Sequence, residues 1–184
     1  MARTPSNMLA LDTKAPDFSL FDTVSQRLLS LDQVKGENGT VVMFICNHCP
    51  FVIHVNEELV RVANDYRDKG IGFVAISSND VVNYPQDGPD KMTQHARDNH
   101  YPFPYLYDES QEVAKAYDAA CTPDLYLFDA DLDLVYRGQL DGSRPGNGVP
   151  VTGEDLRYAL DCVLSGKEND RTQKPSIGCN IKWK

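Results

Sequence analysis

One short segment constrains this chain more than any other: an apolar run that leads directly into a pair of cysteines. Residues 40–45 (TVVMFI) have the β-branched and apolar side chains of a fully buried strand. The motif Cys46-Asn47-His48-Cys49 follows that run without a break. After Pro50, apolar residues recur at helical spacing up to Tyr66, which predicts an amphipathic helix. The two cysteines are therefore expected where a buried strand turns into a helix.

The rest of the chain alternates β-branched runs with amphipathic stretches. Further strands are predicted at residues 16–20, 72–77, 104–107, 125–129 and 134–138, a turn or short helix at 28–34, and helices at 89–99, 111–117 and after Thr152. Gly70 is predicted to close the helix that follows Pro50, and Thr152 to cap the last helix. This alternation, over 184 residues, predicts one α/β domain with a largely parallel sheet.

Composition excludes several classes of partner. With 27 acidic residues against 18 basic ones, the net charge of −9 argues against a nucleic-acid or anionic-membrane surface. No segment approaches the roughly 20 apolar residues that span a bilayer, and residues 1–7 lack the apolar core of a signal peptide. We therefore expect a cytoplasmic protein. In reducing surroundings, its five cysteines are expected to be thiols, redox centres or metal ligands.

The C-x-x-C pair has the spacing of a redox-active dithiol. Unpaired N–H groups and the dipole at a helix start favour a thiolate, so we expect a lowered thiol pKa at this site. The two-residue spacer lets the sulfurs of Cys46 and Cys49 close a small disulfide ring. His48 is placed to stabilise the Cys46 thiolate, and Pro50 either kinks the helix or starts it. A zinc half-site, without a second C-x-x-C motif, and two inert core thiols are the alternatives.

Several segments together resemble a known family. Residues 43–52 (MFICNHCPFV), residues 121–123 (CTP) and residues 15–20 (APDFSL) resemble the peroxiredoxin-like (AhpC/TSA, redoxin) branch of the thioredoxin-like superfamily. The resemblance covers about residues 9–165, and the ending resembles that of a thioredoxin-family subgroup. It implies a thioredoxin-like domain over residues 9–165, with a central mixed β-sheet flanked by helices and an N-terminal extension. Residues 166–184 are then a C-terminal tail that carries Cys179.

The resemblance also implies a function. Cys46 is the attacking thiol and Cys49 the resolving thiol of a thiol–disulfide oxidoreductase. Thr122 and Pro123 match the threonine and cis-proline that face such a pair. The implied chemistry requires no organic cofactor and no metal. The expected substrates are disulfide-bearing proteins or small thiols, and a thioredoxin or glutathione system is expected to supply the electrons, in redox homeostasis.

Some positions differ from the thioredoxin and peroxiredoxin motifs, so other functions stay open. Ile45 stands where thioredoxins have tryptophan. Val42 and Cys46 stand where peroxiredoxins have the proline and threonine of the peroxidatic site, whereas Cys49-Pro50 still matches the peroxidatic cysteine and the proline after it. An antioxidant, peroxiredoxin-like thiol peroxidase is therefore one alternative. A metal-binding or chaperone-like module that uses the same thiols is another.

We expect different roles for the other three cysteines. Cys121 lies two residues before Pro123, so it is expected near the pair, as an auxiliary redox thiol or as a small buried hydrophobe. Cys179 is an auxiliary candidate because the tail could dock it over the pair at high local concentration. One specific hypothesis is that Cys121 and Cys179 form a second disulfide that exchanges with the first. Cys162 is predicted to pack in the core.

Overall fold

The structure is a computed structural model that describes residues 3–184. Within these residues the strands are β1 (Thr4–Pro5), β2 (Ser19–Asp22), β3 (Arg27–Ser30), β4 (Gly39–Phe44), β5 (Ile71–Ser77), β6 (Tyr105–Tyr107), β7 (Cys121–Thr122), β8 (Asp124–Asp129), β9 (Leu134–Gly138) and β10 (Ile177–Asn180). The α-helices are α1 (Leu31–Val34), α2 (Pro50–Arg67), α3 (Pro89–Asp98), α4 (Glu112–Ala116) and α5 (Glu154–Leu164). Over the same residues, we find no helix with both the length and the apolar character needed to cross a membrane.

The central sheet is mixed. Its strands lie in the order β3-β2-β6-β5-β4-β8-β9. Strand β5 pairs in parallel with β4 and with β6, whereas the other neighbours pair antiparallel. The mixed sheet that the family resemblance implied is confirmed, and the largely parallel sheet predicted from the alternation is wrong. The reason is that β2–β3 and β8–β9 are joined by short turns, which connect antiparallel strands only.

Strand β4 is buried on both faces. Val41 and Met43 pack in the layer that contains α2 and α5, whereas Val42 and Phe44 pack in the opposite layer. None of these four side chains is more than 1% exposed. A strand covered on both faces requires a continuous apolar run, which is the pattern that made β4 recognisable in the sequence. The cysteine pair therefore follows a rigid strand.

The start of α2 at Pro50 agrees with one of the two roles considered for that residue, whereas the two predicted helix caps are wrong. Helix α2 begins at Pro50, so Cys49 is its N-cap and Cys46 lies outside the helix. The same helix ends at Arg67, so the predicted role of Gly70 as its cap is wrong, and Gly70 instead takes a left-handed turn (φ 80°) before β5. The predicted Thr152 cap is also wrong. The backbone N–H groups of Thr152 and Gly153 both donate to Asp141 Oδ2 at 2.7 Å, and Gly153 is the N-cap of α5.

The segment predicted as a polar tail contains a strand of a second sheet. Strand β10 pairs antiparallel with β1 on one side and with β7 on the other. A Cβ atom on Gly178 would lie 1.9 Å from the Thr122 carbonyl oxygen, so only glycine allows β10 to approach β7 this closely. Beyond the strand, the Lys182 backbone N–H donates to Asn79 Oδ1 at 2.8 Å. The end of the chain is therefore part of the folded domain.

We predict that Gly178→Ala destabilises the protein, because the added methyl group would push β10 away from Thr122. Overpacking of this kind typically lowers the free energy of unfolding by about 1–3 kcal/mol. Gly142→Ala is the matched control, since its Cβ would meet nothing within 4 Å, and we expect a change within about 0.5 kcal/mol. Urea unfolding of both variants measures the difference. Equal midpoints would contradict the close contact between β10 and β7.

Candidate active site

The spacer of the C-x-x-C motif is held in place on three sides. The Asn47 backbone N–H donates to Asp87 Oδ1 at 2.9 Å, and Asn47 Nδ2 donates to the Gln86 carbonyl oxygen at 2.9 Å. The hydroxyl of Tyr105, a buried residue at the start of β6, donates to Asn47 Oδ1 at 3.0 Å. These contacts fix the backbone between the two cysteines.

His48 contacts a buried carboxylate. Its Nδ1 lies 2.7 Å from Asp87 Oδ2, although the two are not aligned as a hydrogen bond. The imidazole also stacks on the Tyr84 ring, with centroids 5.9 Å apart and planes 6° from parallel. Asp87 Oδ2 accepts a further hydrogen bond from Asn79 Nδ2 at 2.8 Å. The His48 side chain is only 29% exposed, so it belongs to the site rather than to the open surface.

Asp87, Asn79 and Tyr84 were not predicted as site residues. They lie on the loop between β5 and α3, and the sequence did contain a signal for them. Because β4 and β5 are parallel neighbours, their carboxyl ends meet at one edge of the sheet. A polar loop directly after β5 must therefore lie beside a motif directly after β4.

Within residues 3–184, the side chains of Cys46, His48 and Asp87 could hold a metal ion. Their donor atoms all lie within 4.8 Å of one another. Thiolate, imidazole and carboxylate are all zinc ligands in proteins. Both Asp87 oxygens already accept hydrogen bonds from Asn47 and Asn79. The group contains only one cysteine of the pair, so it differs from the C-x-x-C half-site considered from the sequence.

The sulfurs of the pair face each other and Thr122. Cys46 Sγ lies 3.5 Å from Thr122 Oγ1, and Cys49 Sγ lies 3.1 Å from the Thr122 carbonyl oxygen, to which the thiol can donate. The peptide bond between Thr122 and Pro123 is cis. Both residues belong to one buried cluster, and neither is more than 1% exposed. All five cysteines are free thiols, so this is the reduced site.

Cys49 is the sulfur that ionises more easily. The hydrogen bond from the Cys46 thiol, opposed by burial and assisted by the Cys179 thiol and the Val52 backbone N–H, lowers the pKa of Cys49 to about 4. As the N-cap of α2, Cys49 also lies at the positive end of the helix dipole. These donors outweigh the burial of the sulfur, which favours the neutral thiol.

Cys46 has the opposite environment. Its hydrogen bond to Cys49, its burial and the negative charge of Asp87 raise the pKa of Cys46 well above the ordinary value for cysteine. The sequence predicted a lowered thiol pKa at this site, and Cys49, rather than the Cys46 that the resemblance made the attacking thiol, has it. The reason is that the helix begins at Pro50, so its N-terminal charge is felt by Cys49.

Cys179, and not Cys121, extends the pair. Cys179 lies opposite Thr122 in the β10–β7 register, whereas Cys121 lies opposite Asn180. Adjacent residues of a strand point to opposite faces, so Cys121 and Cys179 project from different faces of this sheet. Cys179 is close enough to Cys49 for each thiol to shift the pKa of the other, whereas Cys121 Sγ lies 3.6 Å from the Pro123 carbonyl oxygen. The register therefore disfavours the predicted Cys121–Cys179 disulfide.

The comparisons with known proteins now identify the family. Residues 11–137 match the AhpC/TSA family, which is more than half of the chain. This chain belongs to the AhpC/TSA family. The resemblance drawn from the sequence motifs is confirmed. A search of the curated proteins gives no significant match.

Solved structures agree with this membership. An uncharacterized conserved protein from Geobacillus kaustophilus is 60% identical, with a TM-score of 0.98 over 100% of this chain and 97% of that one. A hypothetical protein from Sinorhizobium meliloti 1021 is 49% identical, with a TM-score of 0.96 over 98% of each chain. The thioredoxin domain of a thiol-disulfide oxidoreductase from Bacteroides vulgatus is 19% identical, with a TM-score of 0.61 over 71% of this chain and 89% of that one. The fold of this AhpC/TSA-family member is thioredoxin-like, as expected, which together with the family supports a redox role.

We predict that wild-type protein shows a step of thiolate formation in the acid range, near pH 4, that belongs to Cys49. Cys46→Ala removes the main donor to Cys49, so the pKa of Cys49 rises and the step moves to higher pH. The ultraviolet absorbance of the thiolate, followed as the pH is raised, measures this shift. Cys162→Ala is the control that keeps the acid step, and Cys49→Ala must lose it. An acid step that survives in Cys49→Ala would show that another thiol ionises first.

Proposed function

We propose that this protein is a thiol–disulfide oxidoreductase in which Cys49 attacks and Cys46 resolves. The observation that carries the proposal is that Cys46 and Cys49 both contact Thr122 at the start of α2, with Cys49 as the N-cap of that helix. The neighbouring thiols lower the pKa of Cys49, whereas Cys49, burial and Asp87 raise the pKa of Cys46. The two cysteines are the pair expected from the sequence, but their roles are exchanged relative to those that the family resemblance implied. The proposed source of electrons is a thioredoxin or glutathione system in a reducing compartment such as the cytoplasm.

The first step is attack by the Cys49 thiolate on one sulfur of a substrate disulfide. A bond forms between Cys49 Sγ and that sulfur, and the substrate S–S bond breaks. The other half of the substrate leaves as a thiolate and takes a proton from water. The product on the protein is a mixed disulfide at Cys49.

The second step becomes possible because the first removes the charge of Cys49. That charge and the hydrogen bond to it are among the causes that raise the pKa of Cys46. Cys46 then gives its proton to solvent or to His48, whose ring nitrogen lies within 4.8 Å, while the Thr122 hydroxyl stabilises the new thiolate. Cys46 attacks Cys49 Sγ, and the Cys46–Cys49 disulfide forms as the mixed disulfide bond breaks. The second half of the substrate leaves as a thiolate that takes up a proton. Two electrons have passed from the pair to the substrate.

The burial of the sulfurs limits the substrates. Neither Cys46 nor Cys49 is more than 1% exposed. Strand β10 already occupies the edge of β7 beside Thr122, where an extended peptide would otherwise pair. Small disulfides are therefore the proposed first substrates, and a protein disulfide would require β10 to move.

We predict that reduced wild-type protein consumes oxidised glutathione and forms a Cys46–Cys49 disulfide. Cys49→Ser should react about tenfold more slowly or worse, because burial and Asp87 still oppose ionisation of Cys46. Cys162→Ser, on α5, is the matched control and should react like the wild type. Peptide mapping by mass identifies the modified sulfurs. Full activity of Cys49→Ser, with glutathione bound to Cys46, would return the attacking role to Cys46, and an inert wild type would refute the function.

A second candidate function is the reduction of peroxide, and the burial of Cys49 favours it. Hydrogen peroxide is smaller than any disulfide, so it needs less opening of the site. The Cys49 thiolate would attack one peroxide oxygen, giving a sulfenic acid and hydroxide. Condensation with the Cys46 thiol would then release water and leave the same Cys46–Cys49 disulfide.

The two functions differ in their preferred oxidant. We expect the reduced protein to react with oxidised glutathione at least about tenfold faster than with hydrogen peroxide, because Val42 and Cys46 replace the proline and threonine of the peroxidatic motif. Rate constants for both oxidants, measured on one preparation, decide between the functions. Cys46→Ser/Cys49→Ser serves as the blank for both reactions. A faster reaction with peroxide would make peroxide reduction the main activity.

A further inference from the structure

Two other thiols lie close to Cys49. One is Cys46, its partner in the C-x-x-C motif, and the other is Cys179 on β10. Each is close enough to Cys49 to lower its pKa, and all three residues lie in one buried apolar cluster. Cys179 is 8% exposed, whereas Cys46 is 1% exposed and Cys49 is fully buried. The motif therefore accounts for only two of three adjoining sulfurs.

The position of Cys179 is fixed by strand pairing. Cys179 lies opposite Thr122, the residue that both sulfurs of the pair also contact. On one side of Cys179, the close contact of Gly178 with the Thr122 carbonyl sets the distance between β10 and β7. On the other side, the Ile181 backbone N–H donates to the Ala120 carbonyl oxygen at 3.2 Å. A thiol held in this way has a high effective concentration at Cys49.

We propose that Cys49 has two disulfide partners within the chain, and that the oxidised protein exchanges between a Cys46–Cys49 and a Cys49–Cys179 disulfide. The inference rests on the proposed function, because the exchange starts from the Cys46–Cys49 disulfide. Cys121 takes no part, since the strand register directs its side chain to the other face of β7 and β10.

The exchange conserves atoms and electrons. Cys179 loses its proton to solvent, and its thiolate attacks Cys49 Sγ. The Cys49–Cys179 bond forms as the Cys46–Cys49 bond breaks, and Cys46 leaves as a thiolate that takes up a proton. One disulfide is present before and after the step, so no external oxidant or reductant is required.

The exchange moves the disulfide towards the protein surface. A reducing thiol must reach a sulfur in order to regenerate the protein, and Cys179 is the most exposed residue of the three. At the same time, Cys46 returns to its thiol form beneath the new disulfide. Cys179 is thus the sulfur at which a small reducing thiol attacks the oxidised protein.

The test uses the full-length Cys46→Ser variant, in which Cys179 is the remaining disulfide partner of Cys49. The reduced variant is treated with oxidised glutathione and its cysteine peptides are mapped by mass. We expect a Cys49–Cys179 cross-link that is reversed by dithiothreitol. In Cys46→Ser/Cys179→Ser the glutathione adduct on Cys49 should persist about tenfold longer or more, because no neighbouring thiol displaces it. Cys46→Ser/Cys121→Ser is the matched control and should still form the cross-link.

Two results would overturn the proposal. One is a stable glutathione adduct on Cys49 of Cys46→Ser with Cys179 still a free thiol. The other is a cross-link from Cys179 to Cys121 in place of Cys49. If Cys46→Ser does not fold, acid-quenched wild-type protein replaces it, and both disulfides should be found during oxidation. A wild type that forms only Cys46–Cys49 refutes the exchange and leaves the oxidoreductase function intact, whereas a wild type that forms no disulfide refutes that function.

Discussion

A negative charge on a buried sulfur is the constraint on which the site depends. Removing a charged group from water is costly unless hydrogen bonds replace the lost solvation. Burial indeed works against ionisation of Cys49, and the thiols of Cys46 and Cys179 together with the Val52 N–H offset it. These donors come from the C-x-x-C motif, the first turn of α2 and the strand β10. The site therefore requires all three elements to be in place at once.

The loop after β5 decides which sulfur carries that charge. Asp87 is fully buried and its negative charge opposes ionisation of Cys46. Cys46 is thereby kept as a hydrogen-bond donor while Cys49 is ionised. The same carboxylate holds the spacer through the Asn47 N–H and contacts His48, so one side chain combines an electrostatic and a positioning contribution. Both depend on the parallel pairing of β4 and β5, which brings this loop beside the motif.

Strand β10 both completes the site and covers it. It supplies the third thiol, and it occupies the edge of β7 next to the cis Thr122–Pro123 bond. Because β10 covers the cysteine pair, the favoured reactants are small molecules or molecules that react first with Cys179 on β10. This burial gives a physical reason for the proposed exchange from the Cys46–Cys49 to the Cys49–Cys179 disulfide. Without the exchange, reducing thiols from solvent could not easily reach the disulfide.

The sequence by itself determined the strand, the C-x-x-C motif and the helix, because these depend on patterns among neighbouring residues. The family motifs extended this to the mixed sheet and to Thr122 and Pro123 as the residues that face the pair. Tertiary structure alone decided the ionisation order of Cys46 and Cys49, the contact of His48 with Asp87, and the separation of Cys179 from Cys121. Those properties depend on strand register, on Cys49 rather than Cys46 being the N-cap of α2, and on charges from distant parts of the chain. Hydrophobic periodicity carries no information about such contacts, because burial, hydrogen bonds and nearby charge set a thiol's pKa.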